Sequence, residues 1–306
     1  MIKHTVIVLL AALGFAGCGQ SFEEQQRISR ASRRQMMRED SAALKVAVLP
    51  TLDCLPLYVA KEQRLFDTLG VDVRLKHFMA QMDCDTALMN GRVEGAVTDL
   101  VRACRMESKG TKLRHVSATG AYWQLLTNRT ARIRQLKQLD DKLLAMTRYS
   151  ATDLLGDRAV DSVKLKPERV FRIQVNDIHL RLGMMLNNEM DALLLPEPQA
   201  TQARQAHSPV LLDSRSIDVW LGVVAFREEA LKDSQRQRQL DAFVKAYNMA
   251  CDTINKYGLQ SYKDLIVRYC QVPAGVIKEL PKDFRFRHTA APREKDMELA
   301  RKYLKK

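Results

Sequence analysis

The sequence predicts an α/β protein built from repeated strand–helix–strand units, and three observations carry that expectation. Short apolar runs, at residues 44–49, 192–195 and 219–226, are of the kind that a sheet buries on both faces. Segments with helical spacing of apolar side chains stand between such runs. Turn and stop residues, among them Pro50, Gly91 and the Pro196-Glu197-Pro198 turn, separate one element from the next. The order is βαβα throughout, which favours layered α/β architecture.

The chain opens MIKHTVIVLLAALGFAGCGQ, with Lys3 and His4 before an apolar run from Val6 to Ala12 and the small residues Ala16 and Gly17 before Cys18. That run is too short to span a bilayer and has the flanks of an export signal. Phe15-Ala16-Gly17-Cys18 resembles a bacterial lipobox, which implies cleavage before Cys18 and lipid on its thiol. An ordinary secretory signal cut near Ala16 or Gly17 is the alternative. Stable anchoring takes more than one acyl chain. A lipidated Cys18 would hold the protein on a membrane surface of the cell envelope, outside the cytoplasm. Residues 1–18 are therefore expected as a lipoprotein signal peptide. Residues 19–43, rich in Gln, Ser, Arg and Glu, are expected as a flexible tether.

From Leu44 the elements follow in turn. Residues 44–49 form a strand ended by Pro50, and Thr51 to Leu55 make a polar turn. Pro56 suits a helix start, Leu57, Val59, Ala60, Leu65 and Phe66 give a mixed apolar face, and Val71, Val73 and Leu75 alternate as a second strand. This is a βαβ unit with a right-handed crossover. In open α/β sheets ligands bind beyond the carboxyl ends of strands, which places the Thr51 to Leu55 turn at a candidate site.

Residues 83–90 read as a helix closed by Gly91, 95–98 as a strand ending in Asp99, and 113–118 as another strand. Residues 143–147 lead into Tyr149-Ser150-Ala151-Thr152, small polar residues suited to cap the next helix. Residues 170–175 alternate as a strand, and Asp177 caps a helix through Asn187. Beyond 219–226 the chain turns helical at 240–254, 262–269 and 295–304. The locally basic segment from Pro281 is expected as an exposed polar tail or helix.

The formal net charge of +13 invites a nucleic-acid partner, but the basic residues are dispersed and an exported protein does not meet the chromosome. No nucleic acid is expected, and a basic surface facing anionic lipid headgroups is the plainer reading. With Cys18 set aside, Cys54, Cys84, Cys104, Cys251 and Cys270 remain, an odd number without CxxC or His-linked spacing. No metal site and no cofactor are implied, while a Cys54–Cys84 disulfide stays open. His77, His115, His179 and His207 are scattered and form no acid–base constellation, so no catalytic residue is assigned.

The stretch LKVAVLPTLDCLPLYVAKEQRLFDTLGVDVRL followed by ALMNGRVEGAVTD resembles the N-terminal half of ABC-transporter substrate-binding proteins of the nitrate, sulfonate, taurine and thiamine-pyrimidine-precursor type. NNEMDALLLPEPQA and VVAFREEALKD are similar to that family's second half. Glu94 and Gly95 depart from the commoner Asp-plus-small pattern. The resemblance implies a two-lobed type II periplasmic-binding-protein fold with two crossovers and a ligand cleft between lobes. Lobe 1 would be residues 44–122 and 218–306, and lobe 2 residues 123–217.

A capture site needs concave burial and a few polar groups that fix orientation. Thr51, Asp53 and Cys54 at one strand end, and Thr98 and Asp99 at another, are candidates in the first lobe. Tyr149, Ser150 and Thr152 are candidates in the second, where a helix N-terminus offers main-chain N–H groups. Trp123, beside Tyr122 at a crossover, could stack on a planar ligand, and Glu197 could face the cleft. Each has a plainer role: Thr51 and Asp53 as caps, Trp123 as core, Ser150 and Thr152 as caps. A buried anion would want Arg or Lys. The turns carry Asp53, Asp83, Asp85, Asp99 and Glu197 instead, which tilts the ligand toward a neutral or cationic solute such as a pyrimidine or thiamine precursor. The expected protein is a monomeric solute-binding lipoprotein with a small-molecule ligand, an ABC permease as partner and a membrane anchor. A lipoprotein binding a partner protein through the same fold, and an enzyme on this fold, are the alternatives.

Overall fold

The computed structural model describes residues 22–305, so the export signal and Cys18 lie outside the described residues. The chain divides after Ala43 into two units. In the first, where a flexible tether is expected, Phe22–Ala42 forms a 21-residue helix, α1. Its Glu, Gln, Arg, Ala and Met residues favour helix and neither Gly nor Pro interrupts them, which outweighs the missing apolar stripe.

The second unit begins β1 (Leu44–Val48), α2 (Leu55–Glu62), α3 (Leu65–Thr68), β2 (Val73–His77), α4 (Gln81–Met89), β3 (Gly95–Asp99), α5 (Leu100–Ser108) and β4 (Leu113–Ala118). A crossover at residues 119–122 leads to β5 (Trp123–Thr127), β6 (Lys142–Met146), α6 (Ala151–Ser162), β7 (Val170–Gln174), α7 (Ile178–Leu186), β8 (Ala192–Pro196), α8 (Gln199–Gln205) and β9 (Val210–Asp213). A second crossover, 214–221, returns the chain through β10 (Gly222–Arg227) to α9 (Ser234–Tyr257), α10 (Lys263–Cys270) and α11 (Glu294–Tyr303).

The strands make two five-stranded sheets, ordered β2-β1-β3-β10-β4 and β7-β6-β8-β5-β9. Both repeat one plan. β1 and β6 pair in parallel on both sides, while β10 and β5, the first strands after each crossover, run antiparallel to both neighbours. Each sheet thus receives one strand from a segment that has just arrived from the other sheet. The sequence gives no sign of β5 or β9 as strands, since each is a short run beside a crossover without alternation.

The acidic residue before β3 and before β8 has a physical reason. Glu94 Oε2 accepts the main-chain N–H of Lys45 at 2.6 Å, and Asp191 Oδ2 accepts that of Leu143 at 2.9 Å. Each carboxylate thereby satisfies a donor near the start of the interior strand beside it, β1 or β6. The longer Glu94 does in one sheet what Asp191 does in the other. Gly95 is required beside it, because a Cβ there would lie 2.6 Å from the Phe226 ring.

Around the first sheet, Phe66 stacks on Phe243 of α9 at 5.9 Å, and Phe243 meets Phe226 edge-on at 5.2 Å. Burying each such ring contributes about 1.5–3 kcal/mol. Leu126, Ala145, Leu193, Ile178 and Leu182 form a separate core against the second sheet. Cys54, Cys84, Cys104, Cys251 and Cys270 are buried free thiols, so the Cys54–Cys84 disulfide does not form. The segment from Pro281 is no polar tail. Phe284 and Phe286 are buried, and Asn255 and Asn248 of α9 hold the main chain at Phe286 and Thr289. Among the described residues no helix is long and apolar enough to cross a membrane.

Candidate functional site

The strand ends of the two sheets meet across a cleft, and the candidate residues fall there with three exceptions. After β1, Pro50 ends the strand and Thr51 and Asp53 turn inward, each nearly buried. Asp53 accepts the Thr119 hydroxyl at 3.1 Å. Burial pushes its carboxyl up, against the hydrogen bond from Thr119. Cys54 sits on the same turn but faces the core, where burial raises its thiol. Thr98 Oγ1, at the end of β3, accepts Gln81 Nε2 at 3.0 Å and donates to Asp85 Oδ1 at 3.4 Å. Asp85 is paired with the buried guanidinium of Arg102.

Asp99 is the N-cap of α5 and accepts the Arg102 N–H at 3.0 Å. Burial raises its carboxyl to about 6, with the Arg102 guanidinium and the Arg102 N–H acting against that rise.

In the second lobe Ser150 caps α6, taking the Thr152 N–H at 3.1 Å, and donates to Thr147 O at 2.6 Å. Thr152 Oγ1 accepts the Thr147 N–H at 2.9 Å. Both hydroxyls line the cleft while serving the turn. Tyr149 stands apart, with left-handed φ of 53°, a half-exposed ring and the Arg105 guanidinium 3.9 Å from its centroid. Glu197 is also apart. It is buried and holds Tyr122 Oη at 3.0 Å, Arg204 Nη2 at 2.8 Å and the Thr201 hydroxyl at 2.7 Å. Trp123, half-buried at the start of β5, lines the cleft.

The lobes touch along this line. Ala80 and Asp177, N-caps of α4 and α7, form an antiparallel bridge. Arg102 Nη1 reaches Arg148 O at 3.3 Å, and Leu52 N–H reaches Glu197 O at 2.8 Å. The cavity left between them is about 50 Å³. At roughly 10–15 Å³ per water-sized group, that admits a group of about four heavy atoms. Thr51, Asp53, Thr98, Asp99, Trp123, Ser150 and Thr152 line it, together with Gln81, Thr147, Asn176 and Arg181. Among the described residues no cluster of three or more His, Cys, Asp or Glu could hold a metal ion.

A family model described as the NMT1-like family matches residues 37–263. The chain belongs to the NMT1-like family. No curated protein sequence matches it. Among solved structures, this NMT1-like chain is similar to the ligand-binding component of an ABC-type import system from Staphylococcus aureus with zinc bound. That pair shares 18% identity over 86% of this chain and 92% of the other, with a TM-score of 0.72. The alkanesulfonate-binding protein SsuA from Xanthomonas axonopodis pv. citri, bound to MOPS, shares 14% identity over 86% and 91% of the chains, with a TM-score of 0.73. A Candida albicans protein described as exhibiting the generic periplasmic binding protein fold shares 18% identity over 80% and 82%, with a TM-score of 0.64. The fold is that of the periplasmic binding proteins, two α/β lobes joined by two crossovers.

The residues missed in the NMT1-like sequence are Gln81, Thr147, Asn176 and Arg181. Arg181 is 2% exposed. Its Nε and Nη2 donate to Val175 O, Nη1 to Leu194 O at 2.7 Å and Nη2 to Thr147 Oγ1 at 2.6 Å. Desolvation lowers its guanidinium to about 10, against a nearby Asp177. The one available signal is an arginine inside the largely apolar helix IHLRLGMML.

Proposed function

We propose that this NMT1-like protein is a substrate-binding protein of an ABC importer, which captures a small neutral or cationic solute by closing its lobes and hands it to a permease. The observation that carries the proposal is the interlobe cavity itself, lined from the strand ends of both sheets, with Thr51, Asp53, Thr98, Asp99, Ser150 and Thr152 set among apolar side chains. A solute bridging both walls stabilises the closed arrangement alone, so closure follows from differential affinity. No bond is made or broken. A small cleft between touching lobes, lined by polar and apolar side chains together, favours solute capture over docking of a partner protein on an open surface.

The charge of the solute follows from two residues. An anion entering the second lobe would seek the N–H groups at the start of α6. Ser150 Oγ already accepts the Thr152 N–H there, and the Asp99 carboxyl lines the same cavity. Arg181, the cation in the wall, is committed to two carbonyls and a hydroxyl. Asp53 and Asp99 remain to favour a donor-rich solute. Trp123 offers a flat wall for a planar one such as a pyrimidine or thiamine precursor, and a ring of that size enters with the lobes further apart. Lipid at Cys18 would keep the protein on the envelope membrane beside its permease.

Thermal unfolding of the full-length protein against pyrimidines, thiamine relatives, polyamines, amino acids, sulfonates and nitrate tests this. A solute at about a hundred times its Kd adds roughly 2.7 kcal/mol. A shift with a neutral or cationic class supports the proposal; a shift confined to sulfonates or nitrate overturns the charge argument, and flat curves throughout overturn solute capture.

A further inference from the structure

A second cavity, of about 470 Å³ against about 50 Å³ in the cleft, opens beside the two crossovers. Thr119 and Tyr122 come from the first crossover, Arg215 and Trp220 from the second, and the segment 283–296 closes the far side. Its size falls within the ~300–1,000 Å³ of small-molecule sites. The floor is aromatic: Tyr122 and Phe284 are buried with ring centroids 5.7 Å apart, and the half-buried Trp220 stands at the wall.

The rim is cationic. Arg215 is tied to Asp213 and Asp283, and Arg293 to Asp218 and Asp296. Arg285 and Arg287 are exposed and, among the described residues, have no carboxylate partner. Arg285 Nη1 reaches only the carbonyls of Lys282 and Phe284, and the Arg287 guanidinium lies 5.9 Å from the Trp220 ring. Flat apolar walls below two uncompensated guanidinium groups match an anion carried on an aromatic ring, with the ring against Trp220 and the anion at the fork of Arg287.

We propose that this hinge cavity binds a planar aromatic anion of mononucleotide size, distinct from the transported solute, and that the bound anion sets the ease of lobe closure. Both connections between the lobes form its walls, so a ligand there grips the hinge at two points. It favours whichever interlobe angle it fits better.

Calorimetry on the full-length protein at low salt, with AMP and naphthalene-1-sulfonate as probes and adenosine and inorganic phosphate as their partial counterparts, tests the site. At least one aromatic anion is expected to bind saturably, with adenosine and phosphate each at least tenfold weaker. Trp220→Ala and Arg287→Ala each weaken it at least tenfold, Arg287→Lys restores part of the loss, and Asn176→Ala in the interlobe cleft leaves it unchanged. Circular dichroism melts check that the variants fold. Failure of both aromatic anions to bind, equal binding of adenosine or phosphate, or binding lost in Asn176→Ala and kept in Arg287→Ala overturns the proposal.

Discussion

The carboxylate of Asp99 accepts the main-chain N–H of Arg102 at 3.0 Å and so caps its own helix α5, at the wall of the interlobe cavity. A buried carboxylate at a helix N-terminus is favoured in its charged form by that position. Burial still outweighs those contacts and holds the folded carboxyl at about 6, above the ordinary 3.8.

The pH dependence follows. Between about pH 4 and pH 6 the folded protein keeps a proton that the unfolded chain has released, so this group's contribution to stability falls as pH rises through that window. Asp99→Asn is expected to match the wild type near pH 4 and to exceed it at pH 7.5, by on the order of 3 kcal/mol at most. Urea unfolding at the two pH values measures this. A variant less stable than wild type at pH 7.5 would mean that the ion's hydrogen bonds outweigh its burial.

Arg181 holds the turn after β6, the residue after β7 and the middle of β8 together. Arg181→Ala leaves the carbonyls of Val175 and Leu194 and the Thr147 hydroxyl without that donor, a loss of about 3–5 kcal/mol. Arg181→Lys is expected to recover less than half, because an ammonium does not span three acceptors as the planar fork does. Denaturant midpoints of the three proteins decide it; full rescue by lysine would show that only the charge matters.

Glu94 and Asp191 occupy matching places in the two sheets, and each accepts a main-chain N–H of the interior strand beside it, β1 or β6. Glu94→Ala and Asp191→Ala are each expected to cost about 1.5–3 kcal/mol, as charge-assisted hydrogen bonds do. The costs should add in the double variant, since the residues belong to separate sheets. A double variant no worse than either single one would contradict this equivalence.

What the sequence discloses depends on where the signal lies. β1, β3, β6 and β8 are buried apolar runs with clear stops, and their edges follow from Pro50, Asp99 and Pro196. β5 and β9 escape because their identity as strands comes from the partner across the crossover, not from their own pattern. Strand-end logic brings Thr51, Asp53, Thr98 and Asp99 to one cavity. It does not fix side-chain direction: Cys54 turns into the core, Glu197 toward Tyr122 and Arg204, and Tyr149 out under Arg105. Direction depends on packing from distant segments, as with Arg181, whose partners lie on β8 and two turns.

The same geometry separates binding residues from supporting ones. Asn176→Ala and Thr98→Val are expected to weaken solute binding about tenfold or more while lowering Tm little. Glu197→Gln is expected to lower Tm by several degrees and leave solute affinity within about twofold, since its carboxylate serves Tyr122, Thr201 and Arg204. Calorimetry alongside thermal melts makes the distinction. A large loss of affinity in Glu197→Gln would place that residue in the site.

Lobe closure around a solute is the central claim, and the distance between the lobes tests it most directly. Spin labels on Asp83→Cys of α4 and Leu180→Cys of α7, both exposed positions, report that distance, while the five native thiols among the described residues are buried. Titrated across the neutral, cationic and anionic solutes, double electron–electron resonance should show the distribution shortening and narrowing with a neutral or cationic solute. A distribution that no solute changes would contradict the account.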